Sequence, residues 1–136
     1  MVRVTRTIQG GGIVREIIFR GRSIKDGYWI YGYYAETVII EPMGGIYEVD
    51  TDTVGEFTGF DIHGLLVYEG DILFDKATGE KYTVCFVDGA WRLSKGSVVG
   101  GFLNDYLKRD SLEVIGNIHD GVKGVSVWHR MRKMKQ

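Results

Sequence analysis

Two pairs of carboxylates stand two residues apart in the sequence, Asp50 with Asp52 and Glu69 with Asp71. On a β-strand this spacing places both side chains on one face, where their oxygens could bind a hard cation such as Ca²⁺. The pairs also lie close to glycines, and aspartate commonly stabilises turns by accepting hydrogen bonds from nearby backbone N–H groups. We therefore predict that these pairs form turns and that the protein holds no metal.

The residue types that most often carry catalysis are few and dispersed. His63, His119 and His129 lie far apart and share no ligand-like spacing with Cys85, whereas a structural zinc site needs four ligands in closely spaced pairs. Cys85 lies inside an apolar segment, which predicts a buried and unreactive thiol. The glycine-rich stretches lack the Lys-Ser/Thr ending of a phosphate-binding loop. The sequence therefore predicts no catalytic residue, no cofactor and no enzyme activity.

Aromatic side chains recur at every second position in Trp29, Tyr31 and Tyr33, which places them on one face of a predicted strand. Such a row could be a platform on which nucleic-acid bases stack. Large aromatic residues at this period more often form the inner wall of a β-sheet core, and we favour that interpretation. The three rings nevertheless remain candidates for a binding surface.

The C-terminal run from Val125 to Lys135 combines apolar residues with a cluster of basic ones. It could form a basic amphipathic helix that contacts nucleic acid or another protein. Alternatively, it packs on its own domain or on a sister subunit. We favour this second interpretation because neither helical nor strand periodicity is clean. Its residues complete the candidate binding surface: Trp128, Arg130, Arg132 and Lys133.

Composition limits the classes of protein to which the chain can belong. It has 136 residues and a formal net charge of −1, so its length suits one domain and its overall charge favours no polyanionic partner. The single cysteine excludes an internal disulfide and is typical of the reducing cytoplasm. No apolar run approaches the roughly 20 residues of a membrane span. We therefore expect a cytoplasmic protein with no membrane partner.

The carboxylate, aromatic and basic residues described above must be positioned by short strands and tight turns. The composition favours such elements, since it includes 20 glycines, one proline and 12% aromatic residues. The stretch Val54–Leu73 carries a glycine every few residues with apolar residues between them. We interpret it as a structural clasp, in which Phe57 and Ile72 anchor its two ends in one core. Its glycines are predicted to hold turns.

The remaining pattern predicts an all-β domain of short antiparallel strands with one short helix. Asp88-Gly89 is a strong signal for a two-residue hairpin turn, and the helix is predicted over Phe102–Arg109. Turns or loops are predicted over Gly21–Gly27, Ala35–Thr37, Glu41–Gly45, a helical turn at Asp50–Thr53, and Lys95–Gly101. The predicted strands are Arg15–Arg20, Tyr28–Ile40 with its internal turn, Ile46–Val49, Asp71–Phe74, Tyr82–Val87, Trp91–Leu93 and Leu112–Ile118.

Several segments, in order along residues 15–119, resemble the YopX family of bacteriophage and prophage proteins. They are Ile18–Gly21, Trp29–Tyr33, Val49-Asp50, Thr53–Gly59, Tyr68–Ile72, Phe86 with Asp88-Gly89, and Leu112–Ile118. The resemblance implies a mainly β fold with a Src-homology-3-like (SH3-like) barrel. It implies no activity, cofactor or catalytic residue, because none is established for the family.

The two ends of the chain depart from the family pattern. We predict an N-terminal extension over residues 1–14, a YopX-like β-barrel domain over 15–119 and a basic tail over 120–136. Three consecutive glycines precede Val14, and we expect the natural protein to start at that valine.

The sequence as a whole predicts a non-catalytic phage or prophage accessory protein that acts as a protein-interaction module. Its partner would be another protein or a second copy of itself. The alternative is a nucleic-acid-binding protein that uses the face of Trp29, Tyr31 and Tyr33 together with the basic tail.

Overall fold

A computed structural model describes residues 6–7, 13–14 and 17–122 of the chain. The described residues are mostly in antiparallel β-strands, with one short helix. They fall into two compact units that meet in the sequence between Gly59 and Phe60. The predicted all-β class with one short helix is confirmed. The predicted boundaries at residues 14 and 119 stay predictions.

The first unit contains a small two-stranded sheet and a larger antiparallel sheet. Neighbours in the larger sheet follow the order β3, β4, β5, β6, and β3 also pairs with β6. The long β6 continues past Gly59 into the second unit. The strands are β1 Arg6–Thr7, β2 Ile13–Val14, β3 Phe19–Ser23, β4 Trp29–Ala35, β5 Val38–Ile40 and β6 Ile46–Ile62.

The core of the first unit forms where β3 approaches β5 and β6. Ile39 and Val49 are almost completely buried. Gly21 lies against them, and a Cβ atom there would stand only 3.1 Å from the Ile39 Cδ1 atom and 3.2 Å from the Val49 Cβ atom. Glycine at position 21 therefore lets the two branched side chains pack directly against the β3 backbone.

The second unit is a six-stranded antiparallel sheet in the order β11, β10, β9, β8, β12, β13, together with a hairpin between the end of β6 and β7. Asp88 and Gly89 hold positive φ angles of 52° and 79°, as a two-residue hairpin turn requires, so that predicted turn is confirmed. The elements are β7 Leu65–Tyr68, β8 Asp71–Asp75, β9 Glu80–Val87, β10 Ala90–Lys95, β11 Val98–Phe102, α1 Leu103–Tyr106, β12 Leu112–Asn117 and β13 Gly121–Val122.

The core of the second unit lies on one face of this sheet. Period-2 alternation places Leu73, Val84 and Leu93 on the same side of three neighbouring strands, because Val84 is the partner of Leu93 in the register of β9 and β10. The cluster of buried residues is Ile62, Val67, Leu73, Val84, Leu93, Leu103, Leu112 and Val114. No helix in the described part of the chain is long and apolar enough to cross a bilayer.

Three sequence predictions about the strands are wrong. The strand predicted over Arg15–Arg20 begins at the described residue Phe19 and extends to Ser23, because Gly21 is needed inside the sheet rather than in a turn, and residues 15 and 16 lie outside the described residues. No helical turn forms over Asp50–Thr53: β6 runs through it, and the Thr53 hydroxyl accepts from the Arg22 backbone N–H at 2.9 Å and donates to the Asp50 carbonyl at 2.6 Å. Part of the loop predicted over Lys95–Gly101 is strand β11.

Two further predictions need correction. Phe57 is buried as predicted, but Ile72 is only half-buried and does not anchor a core. Its neighbour Leu73 fills that role, since adjacent residues of a strand point to opposite faces. The helix predicted over Phe102–Arg109 spans only Leu103–Tyr106, because Phe102 ends β11 in extended conformation.

Candidate functional site

The aromatic row Trp29, Tyr31 and Tyr33 lies on the face of β4 opposite the buried core of the first unit. Strand pairing fixes this arrangement, because Tyr34, which alternates with the row, is the Cα partner of the buried Ile39. None of the three rings is buried: Trp29 and Tyr31 are half-buried, and Tyr33 is 45% exposed. The interpretation of the row as the inner wall of the core is therefore wrong.

Two arginines of β3 join the aromatic row, and the sequence analysis missed them. Arg22 is the Cα partner of Trp29 and Arg20 that of Tyr31. The guanidinium carbon of Arg20 lies 4.8 Å from the centre of the Trp29 ring, and that of Arg22 lies 5.4 Å from it. Both distances suit cation–π attraction, which holds the indole in place. The signal in the sequence was the spacing of two between the arginines, which predicts that both lie on one face of a strand.

Toward the other end of β4 the same face becomes apolar and exposed. Tyr33 is the Cα partner of Ile40 on β5, and Ile40 is the partner of Ile46 on β6. These three residues, here called the apolar row, cross three strands side by side. Ile40 is half-buried and Ile46 is 68% exposed. The hairpin loop between Ile40 and Ile46 adds Met43, which is 92% exposed.

The charge around the apolar row is acidic. Residues 17–59 contain three basic side chains and seven acidic ones. Glu48 and Asp50 follow Ile46 at alternate positions of β6, so they share its face, and both are exposed. The surface thus combines exposed apolar side chains with carboxylates rather than with a basic stripe.

The predicted turn is wrong for Asp50 and Asp52, which lie inside β6, and is confirmed for Glu69 and Asp71, which flank the turn at Gly70. An Asp50 side-chain oxygen accepts from the Asp52 backbone N–H at 3.1 Å. Asp71 is fully buried, and its Oδ2 atom accepts from the Tyr68 backbone N–H at 2.8 Å across the turn at Gly70, whose φ is +90°. Within residues 17–122 no group of three or more His, Cys, Asp or Glu side chains could hold a metal ion.

Cys85 and Asp75 both form hydrogen bonds with neighbouring groups of the second unit. Cys85 is half-buried rather than buried, and its thiol donates to the Arg92 carbonyl at 3.5 Å. Asp75 is buried and accepts from the Ala77 backbone N–H at 2.9 Å and from Arg109 Nη1 at 3.1 Å. A hydrogen bond from the Ser111 side chain, with these two, holds the pKa of Asp75 below its ordinary value.

The basic half of the predicted binding surface, Trp128, Arg130, Arg132 and Lys133, lies outside the described residues. The structure therefore brings together only the aromatic half of that surface, and it adds Arg20, Arg22, Ile40 and Ile46 to it.

Comparison with known proteins confirms the family that the segments resemble, although the first of them, Ile18–Gly21, lies outside the matched region. No curated protein matches the chain. A family model described as YopX protein matches residues 25–123, which is well over half of the sequence. The matched region contains the apolar row and the whole six-stranded sheet of the second unit. The chain therefore belongs to the YopX protein family.

Proposed function

We propose that the protein is a non-catalytic protein-interaction module that binds its partner through the apolar row of Tyr33, Ile40 and Ile46. The observation that carries the proposal is the exposure of this row, with Ile46 at 68% and Tyr33 at 45%, on three strands whose opposite face carries the buried Ile39. Contiguous exposed apolar side chains on a sheet commonly mark a site of protein association. The strands that carry the row are firmly paired, so the surface is preformed.

The acidic surroundings suit a protein partner better than a polyanion. Glu48 and Asp50 stand beside the row, and residues 17–59 carry more than twice as many acidic as basic side chains. A phosphate backbone would be repelled by this charge, whereas a protein surface with apolar and basic side chains would be attracted.

The alternative function is nucleic-acid binding, and the stacking of Arg20 and Arg22 on Trp29 favours it. Bases stack on exposed aromatic rings beside basic side chains. Against it, Arg20 is only 4% exposed, so its charge is poorly accessible to a strand of nucleic acid. Residues 17–122 contain 17 acidic and nine basic side chains, which opposes a phosphate backbone.

The family resemblance supports three further parts of this proposal. The protein would be a product of a bacteriophage or prophage, it would act in the cytoplasm of the bacterial host, and its fold would include an SH3-like barrel. Pairing of β3 with both β4 and β6 supports the barrel, because it links four strands of the first unit into a ring of pairings. An experimental structure compared with known SH3-like barrels tests it.

Affinity capture from phage-infected host cells tests the interaction surface. The wild-type protein is expected to retain a specific partner, and Ile46→Glu should reduce capture by about tenfold, since it places a charge within the apolar row. Ile118→Glu is the matched control, because Ile118 is similarly exposed at 56% but lies in the second unit. Thermal melts verify that both variants fold.

A partner that is retained equally by wild type, Ile46→Glu and Tyr33→Ala would refute this surface. A partner that is captured by Ile46→Glu but not by Ile118→Glu would indicate that the contact lies in the second unit.

A further inference from the structure

A second exposed apolar element lies at the edge of the sheet in the second unit. Strand β11 is the terminal strand of that sheet among the described residues and pairs only with β10. Val98, Val99 and Phe102 are 68%, 43% and 47% exposed. Three of the five residues of the strand are therefore large, apolar and exposed to solvent.

Edge strands usually carry charged side chains or proline, which prevent pairing with another chain. Residues 96–104, Gly-Ser-Val-Val-Gly-Gly-Phe-Leu-Asn, contain neither. One irregularity of the kind that disfavours pairing with another chain is present, a register shift in the pairing of β10 and β11 between Arg92 and Ser94. The Arg92 side chain also donates from Nε to the Gly100 carbonyl at 3.0 Å, which holds the middle of β11 in place. Among the described residues no strand pairs with the outer side of β11.

We propose that β11 is a self-association edge, which pairs antiparallel with β11 of a second copy of this chain. The register of β10 and β11 puts Val99 and Phe102 on one face, as the partners of Ser94 and Arg92. A two-fold axis between Gly100 and Gly101 therefore places Val99 of one copy opposite Phe102 of the other. A β-branched residue opposite an aromatic ring is a favourable cross-strand pair. Glycine at the axis leaves the centre free of side chains, so the two backbones can approach without a clash.

The charges at the two ends of β11 favour this antiparallel orientation. Lys95 precedes the strand and Asp105 follows it, and their side chains are 54% and 66% exposed. Antiparallel pairing brings Lys95 of one copy toward Asp105 of the other, whereas parallel pairing would bring like charges together. Both groups already form exposed ion pairs, with Glu80 and Lys108, but such pairs are weak and exchange easily.

The contact is small, because one strand of five residues pairs along one edge. Interfaces below roughly 1,000 Å² are commonly weak and transient. The self-association is therefore expected to depend on concentration and to be reversible. It involves the second unit and does not depend on the apolar row of the first.

Sedimentation velocity of the full chain, from micromolar to near-millimolar concentration, tests the proposal. The wild type should shift from monomer toward dimer, and Val99→Lys should lower the association constant by at least about tenfold, because it places like charges near the axis. Ile24→Glu is the control, since it alters a 64% exposed apolar residue of the first unit outside the apolar row and should leave the association unchanged.

Hydrogen exchange locates the contact. Backbone amides of Val98–Phe102 should become more protected as the wild-type concentration rises, and those of Val99→Lys should not. A wild type that stays monomeric throughout, a dimer that survives Val99→Lys, or concentration-dependent protection confined to other strands would each overturn the proposal.

Discussion

Asp75 is a buried carboxylate in the second unit, and three neighbouring groups donate hydrogen bonds to it. It lies at the end of β8, and it links that strand to the segment after α1 through Arg109 Nη1 at 3.1 Å. A buried carboxylate without such partners would be strongly destabilising. Here the Ser111 side chain, the Ala77 N–H and Arg109 stabilise the charged form, and the pKa of Asp75 lies below its ordinary value.

This depressed pKa predicts how stability depends on pH. A carboxyl group with a lower pKa in the folded state contributes stability above its unfolded pKa, about 3.9, and loses it as the pH falls through the folded pKa. Asp75→Asn should therefore lower the melting temperature at neutral pH, and the difference from wild type should shrink below about pH 4. Thermal melts from neutral to acidic pH measure this difference.

Asp105→Asn is the control for this titration, because Asp105 is 66% exposed and pairs only at the surface with Lys108. It should change the melting temperature little at any pH. A difference between wild type and Asp75→Asn that stays constant from neutral to strongly acidic pH would contradict the assignment.

At the scale of elements, the pairing of β4 with β5 builds the apolar row and depends on Gly32. A Cβ atom at this position would collide with the Ile40 carbonyl oxygen and would stand 2.9 Å from the Ile40 carbonyl carbon. These are backbone atoms, so they cannot move aside without separating the strands. The absence of a side chain at Gly32 is thus a condition for the contact between Tyr33 and Ile40.

Gly32→Ala is therefore expected to destabilise the protein by about 1–3 kcal/mol, the usual cost of overpacking, and to weaken partner binding by displacing the apolar row. Urea unfolding measures the stability. Ala35→Ser is the matched control, because Ala35 lies in the same strand and is exposed. Equal unfolding midpoints for Gly32→Ala and wild type would contradict the requirement for glycine at position 32.

At the scale of the whole molecule, the charge is segregated along the chain. Residues 17–122 carry 17 acidic and nine basic side chains, whereas the rest of the chain carries one acidic and eight basic side chains. The formal net charge of −1 conceals this division. Any attraction for nucleic acid should therefore come from the termini rather than from the described residues.

We accordingly predict weak, salt-sensitive and sequence-independent binding to DNA, because phosphate contacts release counterions. Fluorescence anisotropy with labelled duplex and single-stranded DNA at near-physiological salt measures it. Removal of residues 130–135 should weaken the residual binding, because it deletes four of the eight basic side chains outside residues 17–122, and Trp29→Ala should leave it unchanged. Submicromolar binding that survives the removal but is lost with Trp29→Ala would favour the nucleic-acid alternative over the proposed protein interaction.

Local sequence determined the features that depend on neighbouring residues. Alternating β-branched and aromatic residues are enough to predict strands β8, β9, β10 and β12. Asp88-Gly89 predicts its turn because both residues tolerate positive φ. Short sequence segments that follow one another in the family's order also predicted the family, because such segments correspond to local turns and strands.

Tertiary structure alone decided which faces are buried and which distant residues meet. Periodicity placed Trp29, Tyr31 and Tyr33 on one face but could not say which face is the core, since this depends on where Ile39 and Val49 pack. The same limit applies to the apolar row and to the exposed edge of β11. Pairing of strands far apart in sequence sets the register, and no local pattern contains that information.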